Sequence, residues 1–506
     1  MLKRRDLIAQ SLAASAVASI SSPRSGYAAP VPADGGSWSA PFPAAPTVSI
    51  HLSLLPTSNH ERARLLSYGG VEKNPATGDK SSWTRTYVLD IPTDQVVVSS
   101  AIQANNTDTT LFCGGHTFLH DGRLITMGGQ VNALYNGAAD VCYFEAEPSF
   151  RWSKAAAAES RWYPSLCTLP DGQVTVLSGT TTGQGQRNPL PQVWDPTAGT
   201  IRNLTSALRA VALYPKIFVA PDGRVVMVGP ERLTRFLDTN GLGKWSEGPN
   251  SIQGQRNYGM AVMYDHGKIM IAGGALKNNA EPTKTVEILD LGASRPAWRS
   301  GAQPMFHARK HANSTMLPDG TILVTGGTNS AGFNDPTGAV YAAELWNPAT
   351  ETWTLMASAQ VLRIYHSTAL LLPDGRVLSA GGTTATNGGP SGSRVAEIFS
   401  PPYLFRGSRP VVTAAAGTAA LGSTFAFESP DAASIRAVNL LSIGSTTHTF
   451  NMNQRINRLS FTSSGTTVTA RLDSDRTRQL PGYYMMFALN ADGVPSIGRM
   501  IRVTAA

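Results

Sequence analysis

Residues 318–327 read PDGTILVTGG, and the recurrence of this phrase decides the fold. Asp319-Gly320 makes a tight turn, the next five residues form a run rich in β-branched side chains, and Gly326-Gly327 ends it. The phrase returns as HDGRLITMGG at 120–129, PDGQVTVLSG at 170–179 and PDGRVVMVGP at 221–230, then as DHGKIMIAGG at 265–274 and PDGRVLSAGG at 373–382. Its aspartates, Asp121, Asp171, Asp222, Asp265, Asp319 and Asp374, follow one another at roughly 50-residue steps, the kelch-like period of one four-stranded propeller blade. Residues 51–70, ending in Leu65-Leu66-Ser67-Tyr68-Gly69-Gly70, read as a degenerate further copy. The prediction is an all-β chain with a seven-bladed kelch-like β-propeller over 45–400.

A second phrase follows several copies: Val193-Trp194-Asp195-Pro196, Glu287-Ile288-Leu289-Asp290, and Glu344-Leu345-Trp346-Asn347-Pro348 leading to Trp353. These read as outer strands whose aromatics pack between blades. After Ser400-Pro401-Pro402-Tyr403-Leu404 both phrases stop. Short alternating segments such as Leu459-Ser460-Phe461-Thr462 then predict an immunoglobulin-like (early-set) β-sandwich over 401–506.

Composition agrees. Of 506 residues, 42% are hydrophobic, enough for a large core, and only 15% are charged, too few for coiled coils. Three cysteines cannot make a disulfide scaffold. Part of the formal charge of +8 sits in the leader, at Lys3, Arg4, Arg5 and Arg24. No basic run with interleaved aromatics follows it, so nucleic acid is excluded as a partner. The leader has a basic start, a short apolar stretch and the small-residue end Gly26-Tyr27-Ala28, so residues 1–28 are expected to be an export signal. Arg4-Arg5 resembles the twin-arginine type. Residues 29–44, rich in Pro and Ala, are expected to be a flexible lead-in. No later run is long enough for a transmembrane anchor, so a periplasmic or extracellular monomer is expected.

A propeller scaffold alone does not specify chemistry. The informative residues are those at one fixed place in each repeat, eight before the turn aspartate. They are Cys113, Tyr163, Tyr214, Asn257 (or Tyr258, with a one-residue slip), His311 and His366, with Tyr365 beside the last. In a propeller these positions converge on one mouth of the central channel. Each alone has an ordinary explanation, a buried thiol or a packed and hydrogen-bonded ring. Their shared register brings Cys113 within reach of Tyr163, and lets Tyr365-His366 offer oxygen and nitrogen to a metal. That donor pair suits Cu(II). Adjacent residues normally face opposite sides of a strand, so this pair must lie at an end or a bend.

Four motifs carry a family resemblance: Phe112-Cys113-Gly114-Gly115-His116, Arg161-Trp162-Tyr163-Pro164-Ser165, Arg363-Ile364-Tyr365-His366-Ser367, and Thr447-His448-Thr449-Phe450-Asn451 with Gln454-Arg455. The chain resembles the copper radical oxidases, the galactose oxidase and glyoxal oxidase group. The resemblance implies one copper ion held by Tyr163, Tyr365, His366 and His448. It also implies a Cys113–Tyr163 thioether carrying the tyrosyl radical, with Tyr365 as proton acceptor. His448 would arrive on a hairpin sent into the channel by the terminal domain. The implied reaction is oxidation of a primary alcohol, or of an aldehyde as its hydrate, with O2 reduced to H2O2.

The Trp that galactose oxidases stack over the thioether has no counterpart in Gly179-Thr180-Thr181-Thr182-Gly183, and no sugar-binding domain is expected ahead of the propeller. Both features lean toward a bacterial glyoxal-oxidase-like branch. Trp162 is expected to face away from Tyr163 by strand alternation. Tyr214 and His311 are expected at the channel mouth, and His116 beside the site. Whether Cys142 and Cys167 pair stays open. Two other functions fit parts of the sequence. A non-enzymatic kelch propeller binding a glycan or protein would leave the Cys, Tyr and His set unexplained, and a radical-free copper protein would leave Cys113 idle.

Overall fold

Each Asp-Gly copy closes the hairpin between the first two strands of a sheet, because the aspartate caps the turn it starts. Asp121, Asp171, Asp222, Asp319 and Asp374 each accept a hydrogen bond from the amide two residues on, at 3.0–3.1 Å. The computed structural model describes residues 31–69, 84–98, 100–103, 110–131, 136–182, 185–386 and 389–505. The leader 1–28 lies outside them. Among the described residues no helix is long and apolar enough to cross a membrane.

The strands form seven blades. In the sixth, Asn313–Met316, Ile322–Thr325, Ala342–Asn347 and Thr352–Ser358 pair in chain order. The others repeat this meander, starting at His51, Gly115, the second half of Arg151–Thr168, Lys216, Met260 and Ser367. The long strand Arg151–Thr168 serves two blades, pairing first with Ala138–Glu145 and then with Val174–Thr180. The last blade departs from the sequence reading. Its outer edge is Ser37–Trp38 and Phe42–Pro43, both paired with Val395–Ser400. The stretch expected as a flexible lead-in is therefore the strand that closes the ring, and the propeller begins before residue 45. Burial of Phe42, Ala44 and Ala45 holds it there.

Neighbouring blades are joined by their aromatics. Trp194 donates its indole N–H to the Tyr143 hydroxyl at 2.7 Å, Trp298 to Thr234 at 2.8 Å and Trp152 to Thr86 at 3.1 Å. The Gly-Gly ending reflects close approach by the next blade. Gly129, Gly274 and Gly327 donate their amides to the carbonyls of Arg161, Arg309 and Arg363 at 2.9, 2.9 and 2.6 Å. A Cβ on Gly129 would lie 1.9 Å from the carbonyl oxygen of Thr110. The guanidinium groups of Arg309 and Arg363, and of Arg256 in the fifth blade, reach back to the third strand of their own blades. Arg256 pairs with Glu287 at 2.5 Å, Arg363 with Glu397 at 3.5 Å, and Arg309 with Glu344. Each glutamate also accepts two loop amides.

The chain end builds two sheets that share Ile456–Ser464, a sandwich around Phe425, Phe427, Leu440, Val468 and Met486. From it the hairpin Ser445–Thr447 and Phe450–Asn451 leaves to join the first blade. His51, Leu52 and Ser53 pair with Thr447, Thr446 and Ser445. Side chains past the hairpin fasten it: Asn453 Oδ1 accepts the Phe118 amide at 3.1 Å, and Gln454 Oε1 accepts the Met316 amide at 2.8 Å.

Candidate metal centre

Six residues at the same place in six blades have left-handed backbones: Cys113, Tyr163, Tyr214, Tyr258, His311 and His366, with φ between 43° and 68°. None is glycine, and such a conformation costs a side-chain-bearing residue about 1–3 kcal/mol, an expense concentrated at functional sites. The slip in the fifth blade is thereby settled. Tyr258 is the ring member, and Asn257 bridges to Ala275 at the rim. Counting back from the turn glycine instead of the aspartate finds all six, because His266 stands where the other copies have their turn aspartate. His448 occupies the tip of the inserted hairpin. It and Thr449 have φ of 46° and 68°, the two-residue turn that normally takes Asn-Gly.

The ring and the hairpin tip converge. The phenol oxygens of Tyr163 and Tyr365 touch. Cys113 Sγ lies 3.7 Å from His448 Nε2, and ligand atoms of Cys113, His366 and His448 lie within 4.8 Å of one another. Tyr365 and His366, though adjacent, stack at 3.8 Å because the left-handed backbone at His366 cancels strand alternation. The same cause corrects the expectation for Trp162. Its ring lies on that of Tyr163, 3.8 Å between centroids and 20° from parallel, with Tyr163 at φ 68°. Tyr214 stacks on His448 at 4.6 Å.

The two imidazoles are held alike. The Thr447 hydroxyl donates to Ile50 O at 2.9 Å, so its oxygen accepts His448 Nδ1–H at 2.6 Å. The Thr383 hydroxyl donates to Tyr365 O at 3.2 Å and accepts His366 Nδ1–H at 3.4 Å. Both arrangements leave the Nε2 lone pair pointing into the site, and His366 Nε2 is buried with no hydrogen-bond partner. An orphaned imidazole nitrogen beside a second imidazole and two phenols is a donor set that fits copper. Burial pushes His366 down to about 3 and His448 well below its ordinary value, so both are neutral and free to coordinate. Burial raises the phenols of Tyr163 and Tyr365 and the thiol of Cys113, the last partly offset by hydrogen bonding to Tyr163 and Trp162.

Above the site a cavity of about 520 Å³ opens between Tyr163, Tyr214, Tyr258 and His448. Arg187, Lys216 and Lys277 line it, with no carboxylate among its described walls. Lys216 was not found from sequence. It is buried, pushed down to about 7 by that burial, and donates to Thr449 Oγ1 at 3.0 Å. Tyr214 sits at this mouth as expected, but His311 does not. It is buried beside Tyr365 and donates from Nε2 to Phe333 O at 2.7 Å. His116 lies behind Cys113, bonded to His51 and Ser445, and His51 was also missed. Cys142 and Cys167 are both buried free thiols.

The sequence matches the family described as "Glyoxal oxidase N-terminus" over residues 73–403, and "Galactose oxidase-like, Early set domain" over 409–503. It is 29% identical to a galactose oxidase of Gibberella zeae, covering 95% of this chain and 72% of that one. It is 27% identical to the aldehyde oxidase GLOX of Vitis pseudoreticulata, covering 92% and 97%. A fungal alcohol oxidase of the AA5 family, solved with copper, superposes with a TM-score of 0.81 at 27% identity, over 93% of this chain and all of that one.

Proposed function

We propose, from the premise that this chain belongs to the glyoxal oxidase family of copper radical oxidases, that Tyr163, Tyr365, His366 and His448 hold its copper and that Cys113 becomes joined to Tyr163 by a thioether. The observation that carries the assignment is His366 Nε2, buried without a partner and facing His448 and Cys113. The Cys113 S–H and one ring C–H of Tyr163 are lost, a C–S bond forms, and two protons and two electrons pass to O2 as H2O2.

In turnover a primary alcohol or aldehyde hydrate enters the mouth between Tyr214 and Tyr258, whose volume suits a small molecule. Tyr365, held as its phenolate when copper is bound, would take the hydroxyl proton, its oxygen being beside that of Tyr163. Tyr163, once oxidised by one electron to its radical, would be placed to take a hydrogen atom from the carbon. Bound copper supplies the Cu(II)/Cu(I) couple, and so the place for the second electron. O2 then receives both electrons and leaves as H2O2, giving RCH2OH + O2 → RCHO + H2O2, or the acid from an aldehyde hydrate. Trp162, flat on Tyr163, keeps water from one face of the radical. Residues 1–28 would export the chain, so that the reaction runs outside the cytoplasm.

Peptide mass spectrometry before and after aerobic Cu(II) loading tests this reading. A Cys113 peptide joined to a Tyr163 peptide, lighter by two hydrogens, is expected only after loading. Copper bound with the peptides still separate would sink the radical assignment.

A further inference from the structure

Three of the ring residues are each linked through the backbone to the ring residue of the blade before. Tyr163 N donates to Cys113 O at 3.0 Å, Tyr214 N to Tyr163 O at 2.9 Å, and His311 N to Tyr258 O at 3.1 Å. These three amides thus find the carbonyl of the ring residue before them, which satisfies a buried donor and holds the left-handed backbone in place. Cys113 has no such carbonyl to use, because the blade before it is the one whose inner edge takes the inserted hairpin. Its amide donates instead to a side chain, His51 Nε2, at 3.0 Å.

That one bond orients a chain. With Nε2 accepting, neutral His51 carries its proton on Nδ1 and donates it to His116 Nε2 at 3.1 Å. His116 then carries its proton on Nδ1 and donates to Ser445 Oγ, and Ser445 is in turn 3.1 Å from Ser53 Oγ. Every member is buried, and His51 is clamped flat against Tyr68 at 4.4 Å. Ser445 stands three residues before His448 on the same hairpin. The chain therefore connects the backbone of Cys113 to the strand that delivers His448, and Cys113 Sγ and His448 Nε2 end 3.7 Å apart.

We propose that His51 and His116 are positioning residues for formation of the Cys113–Tyr163 thioether: they replace the ring's missing backbone acceptor and fix Cys113 Sγ against Tyr163. The inference rests on the thioether reading above and adds to it what aims the thiol. Neither histidine touches the substrate or offers a nitrogen to the metal. They determine the speed at which the S–H and C–H partners meet, and the C–S bond, the two protons and the two electrons are accounted for as before.

The test compares His51→Leu with His51→Gln in the full chain. Leucine keeps the volume and removes the acceptor, whereas glutamine offers Oε1 to the Cys113 amide. After aerobic Cu(II) loading, copper stoichiometry and the fraction of joined peptide are followed with time. His51→Leu should bind copper and cross-link about tenfold or more slowly, the factor that loss of one buried hydrogen bond supports. His51→Gln should recover most of the rate. In the copper-free proteins, amide exchange at Cys113 should be faster in the leucine variant than in parent or glutamine variant.

If the leucine variant fails to fold, His116→Leu leaves the acceptor in place, frees its orientation, and should also slow cross-linking. Cross-linking at the parent rate in either folded leucine variant overturns the proposal. A parent chain that never cross-links overturns the thioether reading itself, and amide exchange then still decides whether His51 holds Cys113.

Discussion

At the residue scale the centre depends on hydroxyls that fix ring nitrogens. Thr447 can accept from His448 only because its own proton is committed to Ile50 O. Thr447→Val keeps the shape of the turn and removes that acceptor. Copper affinity, measured by competition with a chelator, is expected to fall about 10–100-fold, the usual cost of losing a partner behind a metal-binding histidine. An unchanged affinity would mean that the turn alone orients the ring. The stacking of Trp162 on Tyr163 belongs to this scale too. It was not legible in the sequence, because alternation is a property of extended backbone and Tyr163 is not extended. The candidate ligands were legible because their motifs are local, whereas His51 was not. It belongs to the copy without the Asp-Gly phrase, and its partners Cys113 and His116 are more than sixty residues away.

At the element scale the third blade lacks one part that the fifth, sixth and seventh have. Arg161 is fully buried, yet where Arg256, Arg309 and Arg363 meet glutamates it meets Gln192 Oε1, at 3.1 Å. Burial pushes its guanidinium down to about 9, offset only in part by the charge of Glu159. Gln192→Glu restores the pair at nearly constant volume, and Asn203, now bonded through Oδ1 to the Gln192 amide, can turn its own NH2 toward the new carboxylate. Stability by denaturant melt is expected to rise by about 1.5–3 kcal/mol, the range for hydrogen bonds to charged groups. A loss would show that desolvating the added carboxylate outweighs the pairing. Six blades were legible because turn aspartates and paired glycines answer to local geometry. The closing strands Ser37–Trp38 and Phe42–Pro43 were not. A Pro- and Ala-rich stretch shows no alternation, and its order comes from pairing with residues 395–400 at the other end of the ring.

At the scale of the whole molecule, a core holding several neutral histidines is a liability in acid. Burial pushes His116, His311 and His366 each down to about 3, and lowers His51 and His448 as well. In the unfolded chain these rings titrate near 6.5, so between the two values the unfolded state binds more protons and stability falls as pH falls. Each such ring removes about 1.4 kcal/mol per pH unit in that interval. The melting temperature of the copper-free protein should therefore drop steeply below pH 6.5, with proton uptake of more than one per molecule on unfolding. A flat profile across that interval would contradict the burial of these rings.

The inserted hairpin has a consequence in time. A ribosome that has released every blade through residue 400 has still not made His448, and the ring remains open until residues 37–43 find their partners. On the ligand assignment above, a chain under synthesis is incapable of generating peroxide, whatever copper it meets. The last part delivered is the one that arms it.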